Sequence, residues 1–407
     1  MKKLVILGSG FAGFSLIKRI DKKYYDVTLI SPRNHFLFTP LLPSTTVGTI
    51  EFRSIIEPIR NIRGIKYYQA YCTDINFGDN IVLCKDNDIH ISFTLNYDIL
   101  VIAVGEVTNT YNIPGVDKYA CFLRELSDAR KIRQKVIECF ENASLPYKNS
   151  QSGSNYLRFI ICGGGPTGVE FAAELHDFLE EDVKKKYPES VDKTEIILIE
   201  ATDKILNSFD EKLSNYTLRH FSTKNIKVMI NSYISKVSEK YIYLRNGKHL
   251  SYSLLVWTAG NSPNMLISKI IRDLNFSDSK ITVDSCLKVK GLNNVYALGD
   301  CSQHEFYRYP STGQTAQQQG KYLAVQLNKI ACGKSPSPFR FRDLGMLAYI
   351  GGRQSLANTP QYKGSGFFIW LFWRSVYITK LVSLKNKILV LFDWFKKLLF
   401  GRDISNF

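Results

Sequence analysis

The sequence predicts an α/β protein: two Rossmann-like dinucleotide-binding domains, one interrupted by the other, followed by a C-terminal amphipathic helical region. Three observations carry that prediction. Apolar runs end in Gly8-x-Gly10-x-x-Gly13 and again in Gly163-x-Gly165-x-x-Gly168, each leading straight into helix-forming sequence. Gly8 and Gly105 are 97 positions apart, as are Gly163 and Gly260, and both intervals close on an apolar strand running into glycine. Beyond residue 364 the chain becomes aromatic, aliphatic and basic.

Composition sets the limits. With 407 residues, 45% hydrophobic and 22% charged, the chain is globular and long enough for two or three domains. The net charge of +16 fits an anionic membrane surface, nucleic acid or acidic substrates. Eight isolated cysteines form no C-x-x-C pair, which points to a reducing compartment and to neither an iron–sulfur cluster nor a redox-disulfide centre. Six histidines show no ligand spacing, so no metal site is expected. The first strand starts at Leu4, leaving no room for a leader peptide, and no apolar segment is long enough to span a bilayer.

In chain order, Leu4–Leu7 reads as a buried parallel strand and Val27–Ile30 as the second strand of the first unit. Gly8 allows the tight turn, Gly10 lets backbone approach a phosphate, and Gly13 lets the helix close on the sheet. A carboxylate commonly follows the second strand to bind a ribose; here Ser31 stands in its place. Two prolines, Pro40 and Pro43, then shape an apolar loop where a flat cofactor ring would lie. Residues 98–105 form the strand that ends in Gly105. The spacing of Ile132, Val136, Phe140 and Ala143 predicts a one-faced helix over 127–145, and the polar stretch 147–155 predicts a domain boundary.

The second unit repeats this order. Its second strand ends in Glu200, which favours a ribose 2′-hydroxyl over a 2′-phosphate and hence NADH over NADPH. Residues 181–194 read as a polar insertion. After Gly260, residues 294–300 form a short strand ending in Gly299-Asp300, where the carboxylate can accept hydrogen bonds from a ribityl chain. The predicted division is 1–150 with 286–340 for one dinucleotide domain, 156–285 for the inserted one, and 341–407 for the tail.

On these residues the chain resembles the type II (alternative) NADH:quinone oxidoreductases, notably the fungal mitochondrial internal enzyme. The matching stretches are 30–49, 162–170, 294–300, 343–351 and the aromatic tail, so the resemblance covers nearly the whole length. It implies FAD on the N-terminal unit, held by Gly8, Gly10, Gly13, Ser31, Arg33, Thr39, Gly105 and Asp300. It implies NADH on the inserted unit, held by Gly163, Gly165, Gly168, Glu200 and Gly260, and membrane ubiquinone as acceptor. Family members also carry Ser-Pro-Arg after the second strand. Gly313-Gln-Thr-Ala-Gln-Gln318 is similar to the family's quinone motif, with Gly313 in place of alanine. Gln314 and Gln318 lie one helical turn apart and can face one pocket. Glu170 is expected on the first turn of the nucleotide helix, as a proton source for quinol formation or simply as a helix-terminal acid.

Residues 366–407 hold seven Lys or Arg against two Asp. Amphipathic helices of this kind suit a bilayer interface, and the resemblance adds a homodimer paired through this region, in a mitochondrion or derived organelle or at a bacterial membrane. No nucleic-acid role is expected, and Lys184–Lys186 read as a solvated helix end. A sulfide:quinone oxidoreductase, which would need Cys162 and Cys301 at the flavin, and a flavoprotein resembling apoptosis-inducing factor are the alternatives.

Overall fold

The two apolar runs that precede the glycine turns become central strands of two separate parallel sheets. The computed structural model describes residues 1–87, 91–145 and 157–405. The boundary expected over 147–155 lies outside the described residues. In chain order the elements that position the site are β1 (Lys2–Leu7), α1 (Phe11–Ile17), β2 (Tyr25–Ile30), β3 (Lys66–Tyr68), β4 (Ile99–Ile102), β5 (Cys121–Phe122), α2 (Leu126–Ala143), β6 (Leu157–Cys162) and α3 (Pro166–Phe178). They continue with β7 (Thr194–Ile199), β8 (Ile226–Met229), β9 (Leu254–Trp257), β10 (Val295–Ala297), α4 (Gly313–Ala331), β11 (Met346–Gly351), β12 (Gln354–Asn358), α5 (Phe367–Lys380) and α6 (Leu384–Phe400).

The chain divides into two compact units. The first comprises Met1–Leu37, Glu57–Val107 and Asn261–Arg342. Its sheet runs β10-β4-β1-β2-β3, all parallel, with Leu4 opposite both Val27 and Ile99. Both faces are covered, so β1, β2 and β4 are nearly continuous apolar strands. Helix α4 presses on α1 through small residues. A Cβ on Gly320 would sit 2.2 Å from the Ala12 carbonyl oxygen, and one on Gly313 3.1 Å from the Phe11 ring.

The second unit comprises Phe38–Ile56, Thr108–Gly260 and Asp343–Phe407. Its sheet runs β5-β9-β6-β7-β8, again parallel. Four strands repeat the order of the first sheet, and the fifth position is filled from opposite directions of the chain: β10 follows the insertion and β5 precedes it. This is the predicted repeat. The expected segmentation at 150 and 286 is displaced, for identifiable reasons. β5 bonds to β9, which draws residues 108–145 into the second unit. Ile281–Val283 pairs with Ser302–His304 and stays in the first.

The tail likewise packs within the second unit. Helix α2 starts at a capping box of Glu125 and Asp128 and buries Ile132, Val136 and Phe140, the predicted face. Helix α6 is built the opposite way. Its buried stripe contains Asn386, Val390, Asp393 and Trp394, while Ile388, Phe392, Phe395 and Leu399 face outward. The Asn386 amide donates to the carbonyls of Ser54 and Ile56, both at 2.9 Å. Asp393 accepts from the Ser54 hydroxyl at 2.5 Å and the Glu51 N–H at 3.0 Å. Polar side chains stitch this helix to residues 51–56, and its apolar side is left exposed. Among the described residues, no helix is long and apolar enough to cross a membrane.

Candidate functional site

Each unit carries the same glycine cradle. Gly8 has φ +101° and Gly163 φ +111°; a Cβ would meet the Ala103 carbonyl oxygen at 2.4 Å in the first case and the Ala259 nitrogen at 2.8 Å in the second. Cβ atoms on Gly13 and Gly168 would lie 2.0 Å from the carbonyl oxygens of Gly8 and Gly163, so both helices are drawn tight onto their turns. Around Gly10 and Gly165, by contrast, a Cβ would meet nothing within 4 Å. Those two residues are the N-caps of α1 and α3, and neither receives a side-chain cap. Open space before an uncapped helix N-terminus is where a pyrophosphate accepts backbone N–H bonds. The residues present fit one dinucleotide in each unit.

The residues after the second strands occupy equivalent places. The Ser31 hydroxyl bonds that of Ser9 at 2.8 Å and accepts from the Arg33 N–H at 3.3 Å. Glu200 Oε2 accepts from the Gly164 N–H at 2.6 Å, and its Oε1 accepts from Thr202. Each therefore braces the residue that follows the first glycine of its turn, a role the sequence reading did not include. Gly105 and Gly260 follow β4 and β9 with φ of +68° and +73°. Thr39 falls in the second unit, at the start of a short 3-10 turn (Thr39–Leu41).

Asp300 lies in the 3-10 turn Gly299–Cys301. The Gly299 N–H donates to the Gln319 side-chain oxygen at 2.6 Å, and Gln319 is fully buried. Gln319, just beyond the quinone-motif match, is thus what holds the turn. Gln318 differs from expectation: rather than facing an open pocket, its amide donates to the Arg342 carbonyl at 2.8 Å and accepts from the Arg342 N–H at 3.0 Å. It also approaches the Gln314 oxygen at 3.4 Å, so the two amides do come together.

Glu170 lies in the second turn of α3, not the first, since the helix begins at Pro166. The helix-terminal reading therefore loses its geometry. The side chain is 6% exposed and its Oε1 accepts from the Tyr349 N–H of β11 at 3.1 Å. Burial pushes its carboxyl up to about 8, against the Tyr349 N–H, with the charge of Glu174 adding to the rise and the neighbouring Trp373 indole opposing it. The indole N–H closes no full hydrogen bond among the described residues. A carboxyl with this value holds a proton near neutral pH and can release it.

Around Glu170 lie groups that no motif announced. Glu174 accepts from the hydroxyls of Ser44 and Thr49, both at 2.7 Å. Asp177 accepts from the Tyr349 hydroxyl and from the Gly352 N–H. Burial works against the Asp177 charge, but those bonds and His176 outweigh it and hold its carboxyl low. Rings of Tyr349, Trp373 and Tyr377 form a packed run, with centroids 5.7 and 4.5 Å apart. The only sequence signal for Glu174 is its i, i+4 spacing from Glu170. Residues 181–182, read as a polar insertion, sit in a π-helical turn (Leu179–Val183) that continues α3 and binds Arg402.

Comparison with known proteins agrees with this geometry. Residues 2–320 match the family model for pyridine nucleotide-disulphide oxidoreductases, and residues 344–403 match the NDH2 C-terminal domain. A protein of Dictyostelium discoideum named a probable NADH dehydrogenase is 46% identical over 100% of this chain and 91% of its own length. External NADH-ubiquinone oxidoreductase 2 of Saccharomyces cerevisiae, a mitochondrial protein, is 38% identical over 99% of this chain and 82% of that one. The structure of NDH2 from Plasmodium falciparum in complex with NADH aligns with a TM-score of 0.94 at 32% identity, covering 99% of both chains. A sulfide:quinone oxidoreductase from Aquifex aeolicus aligns at 0.74 and 16% identity, a likeness of fold alone.

Proposed function

The chain belongs to the type II NADH dehydrogenase (NDH2) family, and from that premise we propose the residue roles that follow. It is an NADH:ubiquinone oxidoreductase that passes two electrons from NADH through FAD to membrane quinone without pumping protons. The observation that carries this reading is the doubled cradle with open space at Gly10 and Gly165. Bound at the first cradle, FAD would supply two-electron redox chemistry between NADH and quinone. The chain's own residues supply position and protons.

The first cradle, with Ser31, Arg33, Gly105 and Asp300, would hold FAD. The second cradle, with Glu200 and Gly260, holds NADH; a carboxylate at Glu200 favours the 2′-hydroxyl. NADH brings two electrons and one proton, and a quinone needs two electrons and two protons. One further proton must come from solvent or protein, and Glu170 is suited to give it. The Gln314–Gln318 pair contributes an amide to the quinone carbonyl, with Gln318 anchored on Arg342.

The apolar outer face of α5 and α6, set against the basic residues of the tail, rests on an anionic membrane surface. The protein is a peripheral membrane protein of the mitochondrion, and the same region pairs two subunits. The sulfide reading finds no support in its cysteines. Cys162 and Cys301 are buried, burial pushes both thiols up, and Cys301 donates to the carbonyls of Ile102 and Leu298.

A flavin spectrum of the purified protein, with NADH and NADPH compared against a short-chain quinone, tests the whole reading. Flavin-bound protein that turns over with NADH and poorly with NADPH is the expected result; sulfide-driven flavin bleaching without NADH would overturn it.

A further inference from the structure

The last residues of the tail return to the helix that carries Glu170. Arg402 follows α6, and its side chain is 1% exposed. Its Nη1 lies 2.7 Å from Asp182 and 2.8 Å from Glu181, and its Nη2 lies 3.7 Å from Glu174 Oε2. Its Nε donates to the Thr49 hydroxyl at 2.8 Å, and that hydroxyl donates to Glu174 at 2.7 Å. A hydroxyl that accepts from a guanidinium has its own proton free to pass on, so Thr49 is locked as a donor to Glu174. Ser44 donates to the other oxygen of the same carboxylate.

We propose that Arg402 is a positioning residue for proton delivery: it fixes the negative charge of the buried Glu170–Glu174 pair on Glu174 and so leaves the proton on Glu170. The proposal rests on the reading of Glu170 as a donor and concerns how the pair is divided. Two carboxyls one helical turn apart in a buried site do not both ionise freely. Glu174 has a hydroxyl donor at each oxygen and a guanidinium beside it. Glu170 has one backbone N–H.

Other charged and titratable groups pack around the pair. From α3 come His176 and Asp177, which bond each other, and Asp177 also accepts from the Tyr349 hydroxyl. From β11 comes the Tyr349 phenol, pushed up by burial. From α5 come Tyr377, also pushed up by burial, and Arg374, which lies over the rings of Trp370 and Trp394 and faces Glu174 at longer range.

The direction of the effect distinguishes this role from simple proximity. Loss of a cation that acted directly on Glu170 would raise the pH at which Glu170 ionises. Loss of a cation that acts through Glu174 lowers it, because the charge no longer sits opposite Glu170.

The test follows the infrared carbonyl stretch of protonated Glu170 in the FAD-bound full chain, with the band assigned by its loss in Glu170→Gln. Arg402→Met is expected to move the band's titration midpoint down by about one pH unit. Glu174→Gln moves it the same way, the double variant moves it no further, and Arg402→Lys, which keeps the cation, holds it in place. A midpoint that stays or rises in Arg402→Met overturns the proposal whatever Glu174→Gln does, and so does an additive double variant. Quinone turnover is measured in parallel. If the band moves and the turnover profile does not follow, the division of the pair stands and Glu170 as donor falls. Should Arg402→Met fail to retain FAD, Thr49→Val, which cuts the hydroxyl between Arg402 and Glu174, is expected to lower the midpoint in its place, and an unmoved or raised midpoint there overturns the proposal.

Discussion

Glu170 and Glu174 lie one turn apart on α3, 6% and 4% exposed, and are satisfied by different means. Among the described residues Glu174 takes two hydroxyls, from Ser44 and Thr49, whereas Glu170 takes the N–H of Tyr349 with the Trp373 indole nearby. A helix that presents two buried carboxyls with such unequal partners separates their chemistry.

Quinone turnover should fall as pH rises through about 8, where Glu170 loses its proton, and Glu170→Gln should be slower and flat over the same range. Stability follows the same group. Its carboxyl is raised in the folded state from 4.5 to about 8, so its contribution is fully present below about pH 4.5. That contribution is lost as pH rises through about 8. Each pKa unit is worth ~1.4 kcal/mol, so the loss amounts to a few kcal/mol. Denaturant midpoints measured at pH 6 and pH 9 check this; Glu170→Gln should narrow the difference between them.

The two outer glycines and the middle glycine of the second cradle should behave differently. Gly165→Ala adds a Cβ into space clear of protein, so the fold and the flavin should survive while the KM for NADH rises at least tenfold. Gly168→Ala places a Cβ 2.0 Å from the Gly163 carbonyl oxygen, so it should lower the melting temperature. Thermal melts beside NADH kinetics separate the two outcomes.

Gln319→Leu removes the acceptor of the Gly299 N–H. A buried N–H left without a partner costs about 1–3 kcal/mol. Looser flavin retention is expected, read as FAD lost on gel filtration, with NADH affinity unchanged.

The outward face of the tail can be tested without removing it. Phe368→Asp with Phe392→Asp changes residues that are 82% and 59% exposed. The double variant should keep its flavin and its activity toward a soluble quinone analogue, yet stop sedimenting with anionic vesicles. A chain cut near Phe341 is a poorer test. It would strip β11, and with it the Tyr349 N–H, from Glu170.

Much of this fold was legible because local physics announces it. A buried parallel strand needs an apolar run, a tight strand-to-helix turn needs Gly8 or Gly163, and a close helix needs Gly13 or Gly168. The repeat and its insertion followed from those residues, and the family resemblance from the stretches 30–49, 162–170, 294–300 and 343–351 and the aromatic tail. Boundaries were less legible, because the pairing of β5 with β9 is made by residues more than a hundred positions apart. The buried polar face of α6 was hidden for a related reason: Asn386 and Asp393 look like solvent-facing residues until residues 51–56 are placed against them.

The sequence alone determined two dinucleotide cradles, a carboxylate in the second and an amphipathic basic tail, since each is encoded by short-range spacing. Only the tertiary structure decided what surrounds Glu170. Ser44 and Thr49, Tyr349, Trp373 and Arg402 reach α3 from segments scattered from residue 44 to residue 402. A carboxyl's proton affinity is set by the burial, donors and charges around it, and none of these is written in its neighbours along the chain.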